Sequence, residues 1–200
     1  MEILEIKDLE ILAKKRVPKM FFDYVNSGSW TETTYNENVS DFQKIKLRQR
    51  VAIDMSNRTL ETKMINQTVS MPVAIAPTGL TGMQRADGEI LAAQAAEEFG
   101  VPYTLSTMSV CSIEAVAAKT TKPFWFQLYV MKDKKFMERL IDRAKEAKCS
   151  ALVLTLDLQL LGQRHKDLRN GLSTPPKLIP KHIYQVLTRP MWCLRMLTTK

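Results

Sequence analysis

Four continuous apolar runs mark the middle of the chain: MPVAIAPTG (71–79), VPYTLSTMS (101–109), KPFWFQLYV (122–130) and SALVLTLD (150–157). They are short and lack strict polar alternation, the pattern of strands covered on both faces. Three helical stretches separate them. ADGEILAAQAAEEFG (86–100) stops at Gly100, a glycine terminator. SIEAVAAKT (112–120) starts at Ser112, a natural N-cap. KDKKFMERLIDRAKEAK (132–148) carries an apolar stripe of Phe136, Leu140, Ile141 and Ala144. The order β-α-β-α-β-α-β predicts a parallel sheet covered by helices.

Upstream, residues 6–26 repeat apolar positions at helical spacing (Leu9, Leu12, Ala13, then Phe21, Phe22, Val25), with Pro18 breaking the stretch in two. NSGSW (26–30) is a stop and turn, 31–42 a further helix, and 45–70 a set of short extended pieces. No Gly-x-Gly-x-x-Gly follows the first apolar run, which argues against a dinucleotide-binding Rossmann unit. A (β/α)8 barrel matches better, but such barrels take about 250 residues. From residue 71 to the end there are 130. The expected fold is therefore α/β: a truncated first half of a (β/α)8 TIM barrel, with about four parallel strands, after an N-terminal helical segment. The expected division is 1–70, helical and extended; 71–158, half-barrel; and 159–200, a basic loop and helix segment. Four strands cannot close a barrel, so the first and fourth would present open edges.

Composition narrows the class. At 45% hydrophobic and 25% charged residues, the chain reads as a soluble globular protein. No 18-residue apolar window suggests a transmembrane helix, and MEILEIKDLEILAKKR lacks the apolar core of a secretory signal. Cys111, Cys149 and Cys193 are odd in number and lack metal-ligand spacing, so they read as reduced thiols, consistent with a cytoplasmic location. The net charge of +8 is uneven. Residues 159–200 hold eight Lys and Arg against one Asp, leaving 21 against 20 in the rest. That segment has no zinc-finger spacing, RNP motif or heptad repeat, and nucleic acid is set aside as a partner.

In such folds chemistry gathers at the C-terminal ends of the strands. Here those ends carry Ala76-Pro77-Thr78, Ser106-Thr107, Gln127-Leu128-Tyr129 and Thr155-Leu156-Asp157. Neutral donors and acceptors beside an aromatic residue suit a flat heteroaromatic ligand rather than a metal ion. Each Ser or Thr taken singly also fits a turn former or cap. The repetition over four strands is what raises the ligand reading.

The stretches FFDYVNSGSW, MPVAIAPTG, LSTMS, FWFQLYV, LTLDLQLLGQRHKDLRNG and RPMWCLRML, in this order, resemble the FMN-dependent 2-hydroxy-acid dehydrogenase and oxidase family. That family includes flavin-linked L-lactate dehydrogenase, glycolate oxidase and mandelate dehydrogenase. The resemblance implies FMN as cofactor and a role for each match. Tyr24 would bind the substrate carboxylate through its hydroxyl. Ala76, Pro77 and Thr78 would pass their backbone under the flavin ring. Ser106, Gln127 and Thr155 would hydrogen-bond the flavin's polar edge. Tyr129, the catalytic candidate, would face substrate and stabilise developing charge. Arg164 would neutralise the substrate carboxylate, a task suited to a forked guanidinium. No metal is implied. Packing for Tyr24 and solvation for Arg164 are the plain alternatives. His165 and His182 lie outside the family's catalytic-histidine motif and read as surface residues. NSGSW departs from the family's frequent Gly-Gly-Ala-type turn after the first tyrosine.

The family's later motifs (a flavin-side lysine, a His-Gly-Gly-Arg-type base motif, a second substrate arginine and a glycine-rich phosphate site) do not occur in this sequence. The resemblance thus implies the N-terminal part of an enzyme oxidising an L-2-hydroxy acid, L-lactate foremost, to the 2-oxo acid. A separately encoded C-terminal half would be its partner. The alternative is an inactive remnant acting at most at a membrane surface or on a partner. PKLIPKHIYQVLTRPMWCLRMLTTK (176–200) mixes cations with aliphatic and aromatic residues and has no acid. That pattern fits a peripheral segment at the inner face of the cell membrane, the role of the corresponding insertion in membrane-attached relatives. It equally fits a helix that packs on the other half.

Overall fold

Val17 precedes a proline and takes the extended conformation that such a position favours, so the first helical stretch breaks there. In the computed structural model, which describes residues 2–172 and 179–199, α1 spans Ile6–Arg16 and α2 spans Lys19–Val25. α3 (Thr33–Ser40) runs into a 3-10 turn, Asp41–Lys44. β1 (Thr62–Met64) and β2 (Gln67–Val69) form an antiparallel hairpin. Its two connecting residues, Ile65 and Asn66, both have positive φ, as a two-residue hairpin turn demands.

The β/α rhythm follows: α4 (Thr81–Gln84), α5 (Gly88–Phe99), β3 (Thr104–Ser106), α6 (Ile113–Ala117), β4 (Trp125–Tyr129), α7 (Lys134–Glu146) and β5 (Ala151–Thr155). The chain closes with α8 (His165–Asn170), α9 (Pro180–Leu187) and α10 (Pro190–Thr198). Gly100 ends α5 at φ 81°, and the Ser112 side chain caps α6 by accepting from Ala115 N, both as the local signals predict.

β3, β4 and β5 form a parallel sheet in that order. The run at 71–79 differs from expectation. It contributes one parallel bridge, Ile75 to Tyr103, in place of a fourth strand. Ile75 N donates to Pro102 O and Ile75 O accepts from Thr104 N. Pro72 and Pro77 flank this bridge and have no N–H to extend a ladder.

The chain divides into two compact units. Residues Asn57–Gln159 form the sheet unit; the described residues of Met1–Ser56 and Leu160–Lys200 form the helical unit. Segment 57–70 thus belongs with the sheet, and the basic C-terminal segment with the N-terminal helices. The sheet unit's core is Leu105, Phe126 and Leu128 from the strands, with Ala93, Ala96, Val116, Leu140 and Ala144 from α5, α6 and α7. β5 is half-buried on one side and open on the other, where Leu152 is 47% exposed and Leu154 49%.

In the helical unit, α9 packs against α2 through a hydrogen bond from Met20 N to the Gln185 side chain (2.8 Å). Trp192 of α10 stacks on Phe21 of α2 with ring centroids 5.6 Å apart. His182, expected at the surface, is 5% exposed, with Nε2 2.7 Å from Asn170 O. The carbonyl at the end of α8 supplies the polar partner that lets the imidazole be buried. His165 is half-buried, edge-on to Trp30 at 5.8 Å.

Candidate active site

The polar rim of the sheet is built by register. β3 and β4 place Ser106 beside Gln127, and β4 and β5 place Tyr129 beside Thr155. Ser106 and Gln127 are buried, at 2% and 1% exposure, so their polar groups must find partners. Gln127 Oε1 accepts from Thr107 N (3.2 Å) and from Ser106 Oγ (3.3 Å). The backbone N–H is an unambiguous donor, so it fixes which end of the amide is oxygen. Gln127 Nε2 consequently points the other way and donates to Thr155 Oγ1 (2.8 Å). Ser106 Oγ also accepts from Met108 N (3.1 Å). Three side chains from three adjacent strands thus form one hydrogen-bonded chain.

That chain has a direction. Thr155 Oγ1 accepts from Gln127, which leaves its own O–H to donate outward, and the amide nitrogen of Gln127 has a second hydrogen. The rim therefore presents donors, the complement of a ligand edge rich in carbonyl oxygens and ring nitrogens. Thr107, whose role the sequence does not reveal, stitches the strand ends together. Its hydroxyl donates to Gln127 O (2.5 Å) and accepts from Tyr129 N (3.3 Å). Tyr129 is half-buried at the end of β4.

Ala76, Pro77 and Thr78 are exposed and lie just beyond the Ile75 bridge. Thr81 Oγ1 donates to Thr78 O (3.0 Å), and Leu80 N donates to Met108 O (2.9 Å), joining this loop to the one after β3.

Tyr24 and Arg164 lie in the helical unit and meet there. The guanidinium carbon sits 4.7 Å from the Tyr24 ring centroid, a cation–π contact. Arg164 also donates to Tyr24 O and to Ser27 Oγ (2.8 Å from Nη2) and pairs with Asp167 at 3.0 Å. Burial pushes the Asp167 carboxyl up from its ordinary value; Arg164 opposes this and Asp23 adds to it. The turn at 26–30 is held by the same loop: Trp30 N donates to Gln163 O (2.9 Å).

A small cavity of about 60 Å³ lies at the opposite ends of the strands, among Val69, Pro102, Tyr103 and Phe124. Chemistry in parallel α/β folds collects at the C-terminal ends, so this cavity is not the candidate site. No cluster of three His, Cys, Asp or Glu able to hold a metal occurs among the described residues.

Comparison with known proteins decides the family. Residues 13–200 match the model of the FMN-dependent dehydrogenases. The chain belongs to the FMN-dependent dehydrogenase family. It is 47% identical over 185 residues to an L-lactate dehydrogenase of Acinetobacter baumannii, covering 92% of this chain and 48% of that protein. An L-lactate dehydrogenase of Acinetobacter baylyi is 45% identical over 192 residues, covering 96% and 50%. The crystal structure of the monotopic membrane protein (S)-mandelate dehydrogenase superposes with a TM-score of 0.90 at 31% identity, covering all of this chain and 54% of that one. The chain thus spans about half the length of the relatives it matches and corresponds to the N-terminal half of a (β/α)8 barrel enzyme. The cofactor of this family is FMN.

Proposed function

We propose that this chain supplies one half of a site that oxidises an L-2-hydroxy acid, L-lactate foremost, to its 2-oxo acid. The observation that carries the reading is the directed chain Ser106–Gln127–Thr155, whose outward donors match the acceptor-rich polar edge of a flavin ring. When bound, FMN supplies the two-electron acceptor for the substrate. Ser106, Gln127 and Thr155 hold that polar edge. Ala76, Pro77 and Thr78 offer exposed backbone under the ring. The Tyr129 hydroxyl donates to the substrate oxygen on which charge develops. By the resemblance, the Tyr24 hydroxyl and the Arg164 guanidinium, stacked on one another within the helical unit, would bind the substrate carboxylate.

The reaction also needs a base for the substrate's hydroxyl proton. Both histidines of the chain pack within the helical unit. The family resemblance assigns the base to a histidine in a motif that this sequence does not contain, and the C-terminal half carrying it would dock along β5, whose outer edge pairs with no described strand. FMN titration of the purified chain, alone and with the C-terminal half of an L-lactate dehydrogenase relative, tests this. Flavin binding with L-lactate-dependent bleaching only in the presence of the second half supports the reading. Flavin binding without bleaching in either mixture favours an inactive remnant. No flavin binding in either mixture overturns the assignment.

The location that fits best is the cytoplasmic face of a membrane. α9 turns His182 and Gln185 inward and leaves Ile183, Tyr184 and Leu187 exposed, beside Leu194 and Leu197 of α10. No described helix is long and apolar enough to cross a membrane. An apolar face with neighbouring cations suits the interface of an anionic bilayer. Co-sedimentation with anionic vesicles at low salt and release at high salt is the expected result. No sedimentation at low salt removes this part of the reading.

A further inference from the structure

We propose that Glu89 is a positioning residue for the flavin: it sets the spacing of the two loops that leave Ile75 and β3. This rests on the placement of FMN at those strand ends. Glu89 stands in the first turn of α5 and is 0% exposed. Its Oε1 accepts two backbone hydrogen bonds, from Gly82 N (2.9 Å) and from Val110 N (2.9 Å). Gly82, in the one-turn helix α4, follows Ala76-Pro77-Thr78 on one connection; Val110 follows Ser106-Thr107 on the other. One oxygen therefore pins both loops at a single point, and the Leu80 N to Met108 O bond holds them again nearer the rim.

The surroundings are shaped for this side chain. A Cβ at Gly82 would come within 2.6 Å of Val110 Cβ and 2.9 Å of Glu89 Oε2, so only glycine allows the approach. Leu80 and Asp87, at the two ends of the intervening segment, hold left-handed backbone at φ 56° and 58°. Non-glycine residues keep such conformations only where their surroundings impose them. Burial, with the neighbouring Glu89 carboxyl second, pushes the Cys111 thiol up to about 12, so Cys111 is an inert neighbour rather than a competing nucleophile. A merely helix-starting acid needs none of this. A first-turn Glu serves the helix dipole from the surface, whereas this one is fully buried and bonded to two other segments.

The test uses the full chain and the variants Glu89→Gln and Glu89→Ala. Amide hydrogen exchange is measured over 78–83 and 107–111, with β4 and β5 as internal reference, alongside FMN titration. The Gln variant keeps an oxygen able to accept both N–H groups; the Ala variant strands them. Expected in Ala are faster exchange confined to the two loops, and FMN affinity weaker by about tenfold or more, with both rescued to near wild type in Gln. Unchanged loop exchange in Ala overturns the proposal. So does loosened exchange with unchanged FMN affinity. Should Ala fail to fold, a Gln variant whose loops exchange as fast as unstructured chain also overturns it. FMN is titrated with the C-terminal half of an L-lactate dehydrogenase relative present; if the wild type binds no FMN even then, the flavin assignment fails, and the exchange pattern alone decides whether Glu89 braces the loops.

Discussion

The two units of this molecule bury opposite things. The sheet unit buries hydrocarbon, with Leu105 and Val116 at 0% exposure and Phe126 at 1%. Its buried polar groups are those of the rim, Glu89 and Thr104. The helical unit buries little hydrocarbon, chiefly Val17, Met20 and Phe22. It is organised by polar pairs instead: Asn170 Nδ2 to Asp23 Oδ2 (2.7 Å), His182 to Asn170 O, and Gln185 to Met20 N. Hydrophobic burial is tolerant of detail, because it scales with area. A buried polar pair is not, because removing one partner strands the other. The sheet unit should thus resist most single changes outside its core, and the helical unit should fail at a few named bonds.

The sharpest way to break that contrast is at the core. Phe126→Ala removes a fully buried ring of β4 from the sheet unit's core and should cost about 3–5 kcal/mol in urea unfolding followed by circular dichroism. A loss below about 1 kcal/mol would mean that the strands are not packed as described. The next test falls on the other unit. Asn170→Ala should cost about 1–3 kcal/mol, since it removes one of the two donors, Asn170 Nδ2 and Lys19 Nζ, that hold the buried Asp23 carboxylate. Asp23→Ala combined with it should be clearly non-additive. Additive losses would show that the pair does not hold α2 to α8.

The rim joins fold to function within one unit. Thr155 is half-buried, and its outward O–H is assigned to the ligand. Thr155→Val should weaken FMN binding by about two- to tenfold, and by stranding Gln127 Nε2 it should also cost about 1–3 kcal/mol of stability. That stability loss with unchanged FMN affinity would place this hydroxyl in the fold, not the site.

The same contrast explains what can be read from sequence. The β/α rhythm is legible because it is local: apolar runs, a capping serine, a terminating glycine. The placement of Ser106, Gln127 and Thr155 at the strand ends is legible because they are polar intrusions into apolar runs. The bridge at Ile75 is misread as a strand because apolar content outweighs two prolines in a short window. Glu89 is invisible in ADGEILAAQAAEEFG because an acid in a helix's first turn is commonplace, and its partners lie on two loops. His182 reads as a surface residue because nothing near it in sequence announces Asn170 O. Asp23 and Asn170 stand 147 residues apart, so no periodicity can connect them.

The smallest expected effect tests whether surface charge matters to the sheet unit at all. Arg143 of α7 clasps Glu114 of α6 with two bonds, Nε to Oε1 at 2.6 Å and Nη2 to Oε2 at 2.7 Å. The guanidinium holds the Glu114 carboxyl well below its ordinary 4.5, to about 2. A depressed carboxyl favours the folded state above its unfolded pKa and loses that contribution as pH falls towards the folded value. The stabilisation is therefore complete above about pH 4.5 and drains away towards pH 2. Both side chains are substantially exposed, 41% for Arg143 and 55% for Glu114, so solvent screening keeps the pair to about 0.5 kcal/mol or less. Glu114→Gln should lower the urea midpoint slightly at pH 7, and the gap from wild type should shrink on acidification and at 1 M salt (roughly a 3 Å screening length). Should Glu114→Ala, which removes the stem as well, lose the same stability at pH 2 as at pH 7, Glu114 contributes through the packing of its stem between α6 and α7. The sheet unit would then owe even this contact to hydrocarbon.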